Sequence, residues 1–206
     1  VQQGSQCEEQ GSQCEIIELT FFDNEEMQGE KIRLALSLTD TPFKDNRLDS
    51  AGWAKLKPNT KYGQLPMLTL DGLETFQSGA ILRWAGTLGD GSLYPHYDKH
   101  MFRKVEEMLG LSGDLEHASL IWASAGWQEK DSTVKEELQR YMGFLSAELK
   151  QTGAFLAGDK PTIADCQWLP QIVSLTTVKV DHIPKDFLQE FPLVRAWMDR
   201  MSALPG

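Results

Sequence analysis

"NTKYGQLPMLTLDG", residues 59–72, sets a proline at the head of an otherwise strand-like run. Proline has no amide hydrogen to give a sheet ladder, so it belongs on an edge strand, at a strand's first residue or at a bulge. The run after it, Met67 to Leu70, still reads as strand. Asp71-Gly72 before "LETF" is a strong two-residue hairpin signal, because such turns need positive φ at both central positions. Residues 67–76 are therefore expected to form an antiparallel pair. Pro66 either opens an edge strand or follows a cis peptide bond, which costs little only before proline. The cis form would turn the Leu65 backbone outward, toward a peptide-like ligand. The local pattern leaves both readings open.

Upstream, "IIELTFF" alternates Ile17, Leu19 and Phe21 against Glu18 and Thr20, the period of a strand. In "QGEKIRLALSL", Ile32, Ala35 and Leu36 fall at i, i+3 and i+4 while Glu30, Lys31 and Arg33 are expected to face away, so a helix follows, and "PFKDNRL" is a candidate second strand. Downstream, Ile81, Trp84, Ala85 and Leu88 repeat with helical spacing from Ser78 on. The order is βαβ, then ββα, over residues 16–88. "GDGSLYPHYD", residues 89–98, breaks the pattern and reads as a linker, with too few glycines for a phosphate loop.

Everything after the linker is helical, an all-α domain over 99–206. Val134, Leu138, Tyr141, Met142, Leu145 and Leu149 share one face, as do Val194, Trp197, Met198 and Met201. In "PTIADCQW" Thr162 is placed to cap a helix while Asp165 reaches back to the Thr162 amide, and Pro170 is expected to kink that helix.

The 206 residues are 41% hydrophobic, enough for a sizeable core, and the formal net charge of -10 argues against nucleic acid or an anionic membrane surface as partner. No apolar run nears the roughly 20 residues of a membrane span, and the polar N-terminus lacks a signal-peptide core, so a cytoplasmic protein is expected. Cys7, Cys14 and Cys166 form no C-x-x-C pair, which fits a reducing compartment. The hexapeptide "QGSQCE" occurs at 3–8 and again at 10–15, and residues 1–15 are expected to be a flexible tail. With no histidine nearby and a wide spacing, its two thiols do not read as a metal site, and no metal is expected.

Four motifs stand in order within this frame: "WAKLK" (Trp53, Lys57), "YGQLP" (Tyr62 to Pro66), "QSGAILRW" (Gln77, Ser78) and "FLAGDKPTIAD" (Phe155 to Asp165). Over residues 16–204 the chain resembles the cytosolic glutathione transferases, most of all their pi, mu, alpha and sigma classes. The resemblance implies a thioredoxin-like N-terminal domain carrying a cis-proline, a helical-bundle C-terminal domain, glutathione as cosubstrate and a homodimer. It also implies conjugation of the glutathione thiol to electrophilic, mostly apolar molecules.

The chemistry of a tripeptide with a carboxylate at each end suits the implied residues. Ser78 opens a helix whose amides and positive dipole end would hold the γ-glutamyl carboxylate, with Gln77 assisting. Leu65, between Gln64 and Pro66, would pair with the cysteinyl amide. Trp53 and Lys57 would take the glycyl carboxylate, one as an N–H donor and the other as a point charge. Asp114, from the partner subunit, would meet the glutathione amine, and Tyr62 would be a key inserted between helices of that partner. The electrophile would lie against residues 23–27, Met27 among them, and a helix lined by Met108, Leu111, Leu115 and Trp122.

One position departs from the pattern. Where these classes carry a tyrosine that donates its hydroxyl to the glutathione sulfur, this chain has Phe21 in "LTFF", and no tyrosine precedes Tyr62. The next loop is one residue longer, and its polar donors are the amides of Asn24 and Gln28 with the helix's first backbone amides. Asn24 is the candidate activating group, while Glu25, Glu26 and Glu30 would oppose a thiolate. Glutathione binding with weak conjugation is the expectation. A noncatalytic glutathione-binding or crystallin-like protein is the alternative, a glutathione-dependent isomerase the third. With no cysteine in "FFDNEEMQGE", a thioredoxin-like oxidoreductase is disfavoured.

Overall fold

The structure, a computed structural model, describes residues 16–23, 27–124, 131–177 and 186–204, with the side chains of 120–124, 131–134 and 177 excepted. Two compact units divide the chain, one comprising the residues up to Asp23 with Pro42–Ile81, the other Asn24–Thr41 with Leu82–Gly206.

The first unit is a four-stranded sheet of β1 (Ile17–Phe22), β2 (Lys44–Leu48), β3 (Met67–Leu70) and β4 (Leu73–Phe76) in the order β2-β1-β3-β4. β1 runs parallel to β2, with Phe21 opposite Arg47, and antiparallel to β3, with Thr20 opposite Met67. Ile17, Leu19 and Phe21 are buried as their alternation requires. Thr20 is buried as well, on the other face, where its hydroxyl accepts a hydrogen bond of 3.1 Å from the Asn46 side chain. A central strand is covered on both faces, so polarity alone misreads that position.

β3 and β4 are antiparallel, and Asp71 and Gly72 between them have φ of 49° and 83°, the positive pair that the hairpin reading demanded. The Leu65–Pro66 bond is cis. β3 lies between β1 and β4, so the edge-strand reading of Pro66 fails: the proline stands one residue before an interior ladder and removes no bond from it. The sequence pattern misses a seven-residue helix, α2 (Ser50–Leu56), in which no residue is buried. It is held by the Asp49 carboxylate, which accepts the Gly52 amide at 2.6 Å, and continues into a 3-10 turn over Lys57–Asn59.

The second unit holds α1 (Met27–Leu38), the last five residues of α3 (Ser78–Gly86), α4 (Lys99–Ser124), α5 (Asp131–Thr152), α6 (Ile163–Thr177) and α7 (Pro192–Ser202). Its centre is α6, on which α1 and α4 pack. Trp168 Nε1 donates to the Met108 carbonyl at 2.8 Å and Gln171 Nε2 to the Ser112 carbonyl at 3.1 Å, so donors at i and i+3 on α6 meet acceptors at i and i+4 on α4. The helix continues through Pro170.

At its start, Asp165 Oδ2 accepts the Thr162 amide at 2.8 Å, as the capping pattern predicts, and the Thr162 hydroxyl donates to the same oxygen. Asp165 Oδ1 accepts from the Leu156 amide at 2.9 Å and from Trp197 Nε1 at 2.8 Å. Among the described residues no helix is long and apolar enough to cross a membrane.

Candidate functional site

The sheet unit gathers two chains of contact. At the end of β1 the buried Phe21 ring lies edge-on to Phe22, 5.5 Å between centroids, and Phe22 lies edge-on to Trp53 at 5.9 Å. Trp53 is half-buried on α2, and one helical turn on the Lys57 ammonium stands 6.0 Å from its ring centroid, the outer limit of a cation–π contact. Lys57 is exposed and among the described residues has no carboxylate partner, so its charge can serve an external anion.

The second chain runs through the β3 approach and the α3 start. The Gln77 amide donates to Gln64 Oε1 at 3.4 Å, a long bond between two exposed side chains. Gln77 has φ of 74°, a left-handed conformation that costs a non-glycine residue on the order of 1 kcal/mol. Its carbonyl accepts the Ala80 and Ile81 amides at 2.9 and 3.0 Å, so this strained residue is the one that launches α3. Ser78 is the first helical residue, at the positive end of the helix dipole. Leu65 lies outside the ladder, which begins at Met67.

A cation beside an indole, a backbone segment outside the sheet ladder and a helix N-terminus are three features that suit a peptide with two carboxylates. The position at Phe21 has no hydroxyl to offer.

Several expected residues lie elsewhere. Met108 and Leu115 are 1% and 0% exposed, a correction to their expected place on an apolar binding face: α4 turns that side toward α6, and both belong to the core of the helical unit. Met27 and Leu111 are half-buried, and Asp114 is exposed on α4. Asn24 and the Trp122 side chain lie outside the described residues, as do Cys7 and Cys14. Tyr62 is 53% exposed, one edge against Phe76 at 5.5 Å and the Lys61 ammonium 5.0 Å from its ring.

Sequence reasoning missed Phe22 as the link from β1 to Trp53, although two adjacent phenylalanines in an alternating strand must send one ring away from the buried face. It also missed an apolar groove of about 210 Å³ between α1 and α6, lined by Leu34, Leu169, Pro170 and Val173 with Glu30.

Residues 17–86 match the family model described as glutathione S-transferase, N-terminal domain, and residues 100–200 the one described as glutathione S-transferase, C-terminal domain. Glutathione S-transferase 1 of Ascaris suum is 25% identical over 194 residues, 91% of each chain. Hematopoietic prostaglandin D synthase of Gallus gallus is 28% identical over 201 residues, again 91% of each. A solved structure of prostaglandin synthase D of Nilaparvata lugens superposes with a TM-score of 0.79 at 27% identity, covering 92% of this chain and 94% of that one.

Proposed function

We propose a function for this chain from one premise: it belongs to the glutathione S-transferase family, whose N- and C-terminal domains it carries in order. It is a glutathione transferase, and it joins the glutathione thiol to electrophilic small molecules. The observation that carries this reading is the match of both family domains across residues 17–86 and 100–200, with the outlying Gln77 backbone at the head of α3 in support.

In the finer reading, Ser78 and Gln77 hold the γ-glutamyl carboxylate. Leu65, flanked by Gln64 and Pro66, pairs with the cysteinyl amide, and Lys57 with Trp53 takes the glycyl carboxylate. Asp114 of a second subunit meets the amine, Tyr62 locks the homodimer, and an apolar electrophile lies near Met27 and Leu111. The protein works in the cytoplasm.

With Phe21 where a hydroxyl would stabilise the thiolate, conjugation at neutral pH is weak, and Asn24 is the side chain that supplies what activation there is. Similarity to proteins named prostaglandin D synthase favours one second reading, a glutathione-dependent isomerase acting through the same thiol.

Calorimetric titration with glutathione and turnover of 1-chloro-2,4-dinitrobenzene test both levels. Binding with slow turnover is expected. Phe21→Tyr should raise turnover about 10- to 1000-fold, the range for one oriented donor in a preorganised site. Brisk wild-type turnover lost in Asn24→Ala would make the asparagine sufficient and end the weak-activity reading. No turnover in either wild type or Phe21→Tyr would favour a binding protein.

A further inference from the structure

Gln28 and Glu116 meet where two helices of the second unit come together. Gln28 lies in the first turn of α1, directly after Met27, and its side-chain amide donates to Glu116 Oε1 on α4. Met27, Gln28 and Glu116 are all half-buried, so they stand at the edge of the helix packing rather than in its core.

The bond engages one oxygen of the carboxylate. Glu116 Oε2 accepts no hydrogen bond among the described residues, and it is not one of their buried atoms left without a partner, so it is open to solvent. A carboxylate fixed through one oxygen keeps its charge, and the lone pairs of the other remain for an external donor.

No cation of the same two helices screens that oxygen. The two on α1, Lys31 and Arg33, are 3% and 7% exposed, so an approaching ligand meets the carboxylate and not an ammonium or guanidinium. On α4 the lysines and the arginine lie within 99–104, and Lys104, the nearest of them, is twelve residues from Glu116. That is about 18 Å of helix. In sequence Met27 follows Asp23, Glu25 and Glu26, which adds acid and no base to the same stretch.

We propose that Glu116 sets the specificity of the electrophile site: held by Gln28 at one oxygen, it offers the other to a cationic or hydrogen-bond-donating group on the electrophile. The proposal rests on the reading above that the electrophile lies beside Met27, because Met27 and the Gln28 bond share the first turn of α1. Apolar contact at Met27 and charge at Glu116 together select an apolar molecule with a cationic or donor end. An electrophile that carries a carboxylate is repelled.

Glutathione thioethers with a six-carbon tail test this without turnover. S-hexylglutathione, S-(6-aminohexyl)glutathione and S-(5-carboxypentyl)glutathione are titrated calorimetrically beside glutathione itself. The ammonium tail should bind about tenfold more tightly than the carboxylate tail, with the neutral tail between them. The formal net charge of -10 favours a cation by itself, so the deciding quantity is how that ratio changes on substitution. Glu116→Gln should reduce it to about twofold, and Glu116→Met, a second neutral replacement should glutamine disturb the fold, should do the same. Glu107→Gln removes an equal charge nine residues away on α4 and should leave the ratio near its wild-type value. No binding of glutathione itself overturns the transferase reading and this proposal with it. Glutathione binding with a tail preference that both Glu116 variants leave unmoved, or that Glu107→Gln moves as far, overturns this proposal alone.

Discussion

Asp165 satisfies four donors with two oxygens: the amides of Leu156 and Thr162, the Thr162 hydroxyl and the Trp197 indole. Burial raises its carboxyl above the ordinary range, and the donors work in the other direction. Asp165→Ala would leave several buried donors unpaired, each worth about 1–3 kcal/mol, so a loss of at least about 3 kcal/mol is expected in denaturant unfolding. Asn should not restore it, because its NH2 would face donors. At the other site, Lys57→Ala and Ser78→Ala should each weaken glutathione binding by about 1–3 kcal/mol in calorimetry, the size of a charge-assisted hydrogen bond. Lys57 is exposed, so the Lys57→Ala change should move the unfolding midpoint little.

Helix α3 ends at a packing limit rather than at a polar signal. A Cβ at Gly86 would stand 2.4 Å from Ile163 Cγ2 at the start of α6 and 2.9 Å from the Tyr94 Cβ. Alanine favours helix over glycine by about 1 kcal/mol, but overpacking of a closed interior costs about 1–3 kcal/mol, and this approach is severe. Gly86→Ala should therefore lower the melting temperature despite its better propensity, and a raised one would mean that α6 yields easily. The same scale explains which elements were readable. β1, the hairpin, α1 and α3 carry period-2 or period-3.6 apolar patterns. α2 buries nothing and is fixed by an Asp49 cap, so no periodicity announced it.

For the whole molecule, Tyr62 is a large aromatic more than half exposed, with Lys61 over it and Phe76 beneath. Aromatic side chains that anchor an interface carry a large share of its energy, and that is the part proposed for Tyr62 in a homodimer. Tyr62→Ala should shift the protein toward monomer in sedimentation, whereas an unchanged dimer would place the anchor elsewhere. The sequence by itself determined the order of the periodic elements, the hairpin at Asp71-Gly72, the proline before β3 and the Asp165 reach to Thr162, because each is written in local spacing and backbone chemistry, and its four motifs carried the family resemblance. Tertiary structure decided the rest. It made β3 interior, which removed the edge-strand reading of Pro66, and it joined Phe22 to Trp53. It turned Met108 and Leu115 into core, since an apolar residue on a helix faces packing or ligand according to what lies opposite. It also buried Lys31 and Arg33 on α1, at positions that the helical spacing turns outward, and it brought Gln28 and Glu116 together across 88 residues of chain, a juxtaposition no local period encodes.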